Sequence, residues 1–213
     1  MNHLRGKFIV FDGNEGCGKS TQAAIVRDRL QQLGLSVLLV RDPGTTRIGE
    51  QIRHVLLNPD HQEMSMRCEM LLYMAARAQM MHEIIAPALQ QGQVVLSDRF
   101  ISSTLAYQLG GDGLSEPDIR AVAEIALRGR WPVLTILFDM PPERSIARVK
   151  RVKDRIEQRP PQYHEQVRAN YLAQAASDRA RYRLVNADRD PQVVHEDVWK
   201  LVSELAEKHG AAR

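Results

Sequence analysis

The feature that most constrains this chain is the octapeptide Gly13-Asn14-Glu15-Gly16-Cys17-Gly18-Lys19-Ser20, which fits the spacing GxxxxGK[ST]. An apolar run, Lys7–Asp12 (KFIVFD), leads into it, and a helical period follows it. Ala23, Val26, Leu30 and Leu33 share one helical face, and Gly34 supplies a stop. In such a strand, loop and helix the glycines let the backbone curl so that successive N–H groups converge on phosphate oxygens, backed by the positive end of the helix. The loop residues, Gly13, Asn14, Glu15, Gly16, Cys17, Gly18, Lys19, Ser20 and Thr21, therefore read as a nucleotide cradle. Within it Lys19 reaches the β- and γ-phosphates and the Ser20 hydroxyl ligates Mg²⁺.

Four further β-branched runs follow, at Ser36–Arg41, Gln93–Asp98, Val133–Asp139 and Tyr182–Asn186. They are almost continuously apolar, as strands of a parallel sheet covered on both faces must be. Helical periods lie between them, including a long one over 66–91 with Met70, Met74, Ala78, Met81 and Ile85 on one side, which reads as core. Ile48, Ile52, Val55 and Leu56 form a second apolar face, and Ser115-Glu116-Pro117-Asp118 opens a helix that stops at Gly129. The alternation predicts an α/β fold of the P-loop type, a doubly wound five-stranded parallel sheet flanked by helices, with residues 1–213 forming one domain. With 213 residues, 44% of them apolar, the chain can bury a sizeable core. A net charge of +3 describes an ordinary surface and excludes a nucleic-acid-coating one. Cys17 and Cys68 form no CxxC pair, no apolar stretch exceeds strand length, and no signal segment precedes the first strand, so a reducing, cytoplasmic setting without membrane contact is expected.

A phosphate loop fixes the nucleotide and leaves the reaction open. Guanine-reading switches carry an NKxD-type sequence after a late strand; this chain has Asn186-Ala187-Asp188 there, without the lysine. It has instead Arg41 closing the second strand and Arg99 just after the third. The carboxyl ends of parallel strands face the ligand crevice, so two guanidinium groups there read as clamps for a second phosphate, the one that accepts the γ-phosphoryl group.

Over its full length the chain resembles the thymidylate kinase family in its bacterial form. The carrying segments are residues 11–21, Arg41-Asp42-Pro43-Gly44, Tyr73 to Gln79, Asp98 to Gln108 and Asp154-Arg155-Ile156-Glu157, in that order and spacing. The resemblance implies ATP- and Mg²⁺-dependent phosphorylation of dTMP to dTDP, a step toward dTTP and DNA, by a homodimer. It implies that Arg41 and Arg99 hold the dTMP phosphate and that Asp98 acts on Mg²⁺, directly or through water. Asp12, where the family has Glu, is expected to orient Mg²⁺-bound water or the acceptor, and Glu15 to read the sugar 3′-hydroxyl. Tyr73, in place of the family's Phe, stacks on thymine; Arg77 bonds a base carbonyl; Pro43 and Thr104 complete the pocket; and Tyr107 crowds the sugar 2′ position.

Some relatives carry an arginine at the position of Gly16, so here the transition-state charge must be met from elsewhere. Residues 144–159 hold seven Lys+Arg against two acids, and Arg144, Arg148, Arg151 and Arg155 are spaced four, three and four apart, which predicts one basic helical face. This segment, about 144–161, reads as a small helical lid, with Arg151 as the arginine finger and Arg148 and Arg155 as support. Two other readings stay open on the residues: a nucleoside monophosphate kinase with a different acceptor base, and a nucleotide-binding regulatory protein without kinase activity.

Overall fold

The computed structural model describes residues 1–150 and 152–208. Five strands, β1 Phe8–Gly13, β2 Val37–Arg41, β3 Val94–Asp98, β4 Leu134–Asp139 and β5 Tyr182–Asn186, form one all-parallel sheet in the order β2-β3-β1-β4-β5. Each lies within one residue of its expected span. Successive side chains of β1 divide between the two faces. Ile9 and Phe11 pack with Ala23, Val26 and Leu30 of α1 (Lys19–Gln32) and with Val194, Val198 and Val202 of α9 (Pro191–Lys208). Phe8 and Val10 pack with Met70, Met74, Phe100 and Ile119 on the other side. Each large apolar side chain so buried contributes roughly 1.5–3 kcal/mol, which is why both faces must be covered.

The second face carries α3 (Met66–Met80), α5 (Ile101–Tyr107) and α6 (Glu116–Leu127), with α2 (Arg47–Leu57) beside α3. Ser115 caps α6 in a capping box with Asp118, as its sequence predicts. The 66–91 helix is not one α-helix. A π turn over Met81–Ile85 separates α3 from α4 (Ala86–Gln90), ahead of Pro87, which has no N–H to continue the ladder. The apolar face of α2 is only partly used: Leu56 is buried, whereas Ile48 and Val55 are exposed.

The 144–161 segment departs most from its expected form. A short α7 (Pro142–Ala147) opens it, residues 152–160 contain turns and no helix, and α8 (Pro161–Ser177) follows. The arginines therefore do not share a helical face. Their spacing has the helical period, but Arg155 is drawn into long-range hydrogen bonds, and Pro160-Pro161 allows a helix to begin only beyond it. Arg151 lies outside the described residues.

Sheet register sets the stage for chemistry. Arg41 pairs with Asp98, Asp98 with Phe11, and Gly13 with Phe138, so the carboxyl ends of four strands finish level with one another beside the loop.

Candidate active site

Three glycines shape the phosphate loop. Gly13, Gly16 and Gly18 adopt φ values of 145°, 77° and 92°, which disfavour any residue with a Cβ. α1 starts at Lys19, so its unpaired N–H groups point at the concavity. The Lys19 ammonium donates to the Asn14 carbonyl at 3.2 Å and lies 3.5 Å from Glu15 Oε2. Burial and Arg99 work against its charge, but Glu15, Cys17 and Asp98 outweigh them and hold its pKa above the usual value. Ser20 Oγ donates to Asp98 Oδ2, joining the loop's last hydroxyl to the carboxylate at the end of β3.

In front of the loop lies a cavity of about 240 Å³, bordered at its phosphate end by Glu15, Lys19, Ser20, Arg41, Asp98 and Arg99. Arg99 is the most constrained of these. Its backbone is left-handed at φ 67°, Nη2 donates to Glu15 Oε2 at 2.5 Å, and Nη1 donates to the Gly13 carbonyl at 2.9 Å and to Ser103 Oγ at 3.1 Å. Burial opposes its charge, but Tyr107, Glu15, Tyr171 and Asp12 hold its guanidinium pKa well above the ordinary value. Arg41 is half-exposed and donates to Glu50 at 3.0 Å. Arg53, absent from the sequence expectations, joins them in the wall and donates to the Pro43 carbonyl at 3.1 Å. Burial and neighbouring Arg41 lower its pKa, a repulsion that a bound dianion relieves.

The far end of the cavity is built around Arg77, which is 1% exposed. Nε donates to Asp42 Oδ2 at 2.5 Å, Nη1 to Thr104 Oγ1 at 2.6 Å and toward Met74 Sδ at 3.8 Å, and Nη2 to the Phe100 carbonyl at 2.8 Å. A guanidinium has five N–H groups, so these four contacts leave one for a ligand carbonyl. Tyr73, one turn earlier on α3, sits with its ring 5.6 Å from the Arg77 guanidinium, and burial raises the pKa of its hydroxyl so that it stays neutral. Pro43, Thr104 and Tyr107 border the same space, so all eight residues expected at the acceptor (Glu15, Arg41, Pro43, Tyr73, Arg77, Arg99, Thr104 and Tyr107) meet around one cavity.

The thymidylate kinase family pattern matches residues 11–198. The chain is 43% identical over 205 residues to a thymidylate kinase of Pelotomaculum thermopropionicum, covering 95% of each, and 40% identical over 212 residues to one of Exiguobacterium, covering 99% of this chain and 100% of that one. The chain belongs to the thymidylate kinase family. The crystal structure of thymidylate kinase from Ehrlichia chaffeensis superimposes with a TM-score of 0.77 at 26% identity, over 93% of this chain and 99% of that one.

For a thymidylate kinase, Asp12 takes an unexpected part. It does not face the cavity: it is wholly buried and accepts from Gly13 N (2.9 Å), Ser102 Oγ (2.5 Å), Ser103 Oγ (2.8 Å), Tyr171 OH (2.7 Å), Phe100 N (3.4 Å) and Arg99 Nη1 (3.3 Å). A carboxylate so enclosed cannot orient metal-bound water; it fixes Arg99 and the start of α5 instead. Arg155 is likewise 3% exposed and donates to the Leu56 carbonyl at 2.9 Å and to Glu69 Oε2 at 2.5 Å, so it is an anchor rather than a group poised over phosphates. Arg144 and Arg148 both lie against Asp188 in the β5–α9 turn, at 2.5 and 3.8 Å.

Gly16 has a steric explanation. A Cβ there would stand 2.1 Å from the Ser145 carbonyl oxygen of α7, so this position of α7 excludes the loop arginine that some relatives carry. The sequence reading also missed Tyr171, Arg53, Gln108 and Glu69. Gln108 follows Tyr107 in a segment already recognised, but Tyr171 reaches Asp12 from 159 residues away, with no local signal to announce it.

Proposed function

We propose that this chain is a kinase that transfers the γ-phosphoryl group of ATP to the phosphate of dTMP, giving dTDP and ADP. The observation that carries the reading is the cavity itself: the phosphate loop residues Lys19 and Ser20 share it with three guanidinium groups and, farther in, with the Tyr73–Arg77–Thr104 pocket. Arg41, Arg53 and Arg99 clamp the dTMP phosphate. Tyr73 stacks on the base, Arg77 donates its remaining N–H to a base carbonyl, and Glu15 and Tyr107 border the sugar. The transition state of phosphoryl transfer is loose, so positioning and cations on the equatorial oxygens carry the rate, and no dedicated base is assigned.

Mg²⁺ fits the pair formed by Ser20 and Asp98, whose oxygens already meet at the mouth of the loop. A hydroxyl and one carboxylate, completed by phosphate oxygens and water, suit this ion. Held there, it would supply positive charge that offsets the charge of the phosphate chain. Residues 144–161 serve as the lid over the single 1–213 domain, with Arg151 as finger and Arg148 in support. Arg155 drops out of that set and holds the lid's downstream end.

The homodimer that the family suggests finds support in apolar side chains left on neighbouring helices: Leu71 on α3 and Ile125 on α6 are 53% and 79% exposed, and Ile48 and Val55 lie exposed on α2. No helix of the described residues is long and apolar enough to cross a membrane. The cytoplasm, which supplies ATP and keeps free thiols such as Cys17 and Cys68 reduced, is the compartment that suits this enzyme.

The test is a coupled assay with ATP against dTMP, dUMP, ribo-TMP and CMP, on the natural chain and on Arg99→Ala. Turnover with dTMP far above the others, and a raised KM for dTMP with ATP little affected in the variant, is the expected result. Preference for another acceptor, or equal losses for both nucleotides, overturns the reading.

A further inference from the structure

Glu69, the carboxylate that anchors Arg155, is completely buried in the first turn of α3, one turn before Tyr73. Three side chains from two other segments converge on its carboxylate. Oε2 accepts from Arg155 Nη2 at 2.5 Å and from Arg159 Nη2 at 2.7 Å, and Oε1 accepts from Gln108 Nε2 at 2.6 Å. Arg159 in turn donates to Tyr163 OH at 2.5 Å, which donates to the Tyr107 carbonyl at 2.8 Å. One acid thus joins α3, the 154–159 stretch and the end of α5.

The consequence lies in the polarity of Gln108. A primary amide can turn either its oxygen or its NH₂ toward a ligand, and nothing in the residue itself chooses. A carboxylate accepts only, so Glu69 must take the NH₂. Gln108 is 1% exposed and borders the cavity, and among the described residues no protein donor meets its Oε1. The polar atom that Gln108 has left to offer a ligand is therefore an acceptor. Thymine presents a ring N–H where cytosine presents a bare ring nitrogen, so an acceptor in the wall admits the first and repels the second.

We propose that Glu69 is a positioning residue that sets acceptor-base specificity by fixing the amide of Gln108 with its oxygen toward the cavity. The proposal rests on the base-pocket reading above. Its sharpest consequence concerns Glu69→Gln. That side chain must turn its only oxygen to the two guanidinium groups, so its NH₂ faces Gln108. Gln108 then turns its own oxygen to that NH₂ and its NH₂ to the cavity, which inverts the polarity of the wall.

The experiment measures dissociation constants of dTMP and dCMP by calorimetric titration of the full chain, for the natural protein, Glu69→Gln, Gln108→Ala and the double variant. The expected result is a dTMP/dCMP preference reduced at least about tenfold in Glu69→Gln, reduced likewise in Gln108→Ala, and no further reduced in the double variant. A purely structural role weakens both ligands together and leaves their ratio alone. If Glu69→Gln keeps the natural ratio while Gln108→Ala lowers it, the base pocket stands and the role of Glu69 is overturned. If neither variant changes the ratio, Gln108 does not read the base and the proposal is overturned, whereas the base-pocket reading itself fails only if the natural chain shows no preference for dTMP over dCMP. Should Glu69→Gln not fold, Glu69→Asp keeps the charge on both arginines and shortens the reach to Gln108. The same loss of ratio is expected there, and an unchanged ratio overturns the proposal.

Discussion

Replacing Asp12 by Asn tests whether this buried acid organises the site. Four donors converge on Oδ1 (Gly13 N, Ser103 Oγ, Tyr171 OH and Arg99 Nη1) and two on Oδ2 (Ser102 Oγ and Phe100 N). Asn keeps one oxygen, and the less costly arrangement leaves it where Oδ1 was. Its NH₂ then faces Ser102, whose hydroxyl can turn and accept, and the Phe100 N–H, which cannot. That orphaned donor costs about 1–3 kcal/mol, and the bonds from Arg99 and Tyr171 weaken once the charge is gone, for a total of roughly 2–4 kcal/mol. For a chain of this length each kcal/mol lowers Tm by about 2–4 °C, so calorimetry should read a fall on the order of 5–15 °C. Arg99 keeps Glu15 as partner at 2.5 Å, so the variant still turns over, with a KM for dTMP raised more than that for ATP. A Tm within about 2 °C of the natural chain, together with an unchanged KM for dTMP, refutes the argument, because no buried carboxylate with these partners can be neutralised without cost.

Two further outcomes follow from the same structure. Arg155→Met should lower stability by about 2 kcal/mol or more in urea unfolding, since Glu69 keeps only Arg159 as a charged partner, while kcat per folded enzyme stays within a few-fold; a hundredfold loss of kcat at unchanged stability returns Arg155 to the reaction. His195 lies buried between Gln22 (Nδ1 to Oε1, 3.1 Å) and Arg29 (Nε2 to Nη1, 3.3 Å), and burial followed by the Arg29 charge holds its pKa below the usual imidazole value. The neutral ring is thus the folded form, so its stability contribution is complete above about pH 6.5, the unfolded value, and is lost as pH falls through the folded pKa. His164, lowered chiefly by burial, adds in the same direction. Unfolding curves from pH 7.5 to 5 should show stability falling more steeply for the natural chain than for His195→Asn, and equal slopes would remove His195 from the account.

The sheet and the phosphate loop were legible in the sequence because each rests on contiguous residues. A strand covered on both faces must be apolar at nearly every position, and a loop that wraps phosphate needs its glycines, lysine and serine within eight residues. Arg41, Asp98 and Arg99 were legible for a related reason: strand ends point at the crevice whatever else the chain does. Tertiary structure alone decided the fate of the residues whose partners lie far away. Asp12 stands one residue from the loop and reads as catalytic, but Tyr171, Ser102 and Ser103 close over it only once α5 and α8 have packed on the sheet. The arginines of 144–159 have a helical period on paper. In the fold, Glu69 captures Arg155 and Arg159 from 86 and 90 residues away, and Asp188 holds Arg144 and Arg148. Periodicity reports which side chains share a face of an isolated helix; it carries no information about a buried carboxylate on another element. A charged side chain taken from water goes wherever its counter-charge is fixed, and the packing of distant elements fixes it.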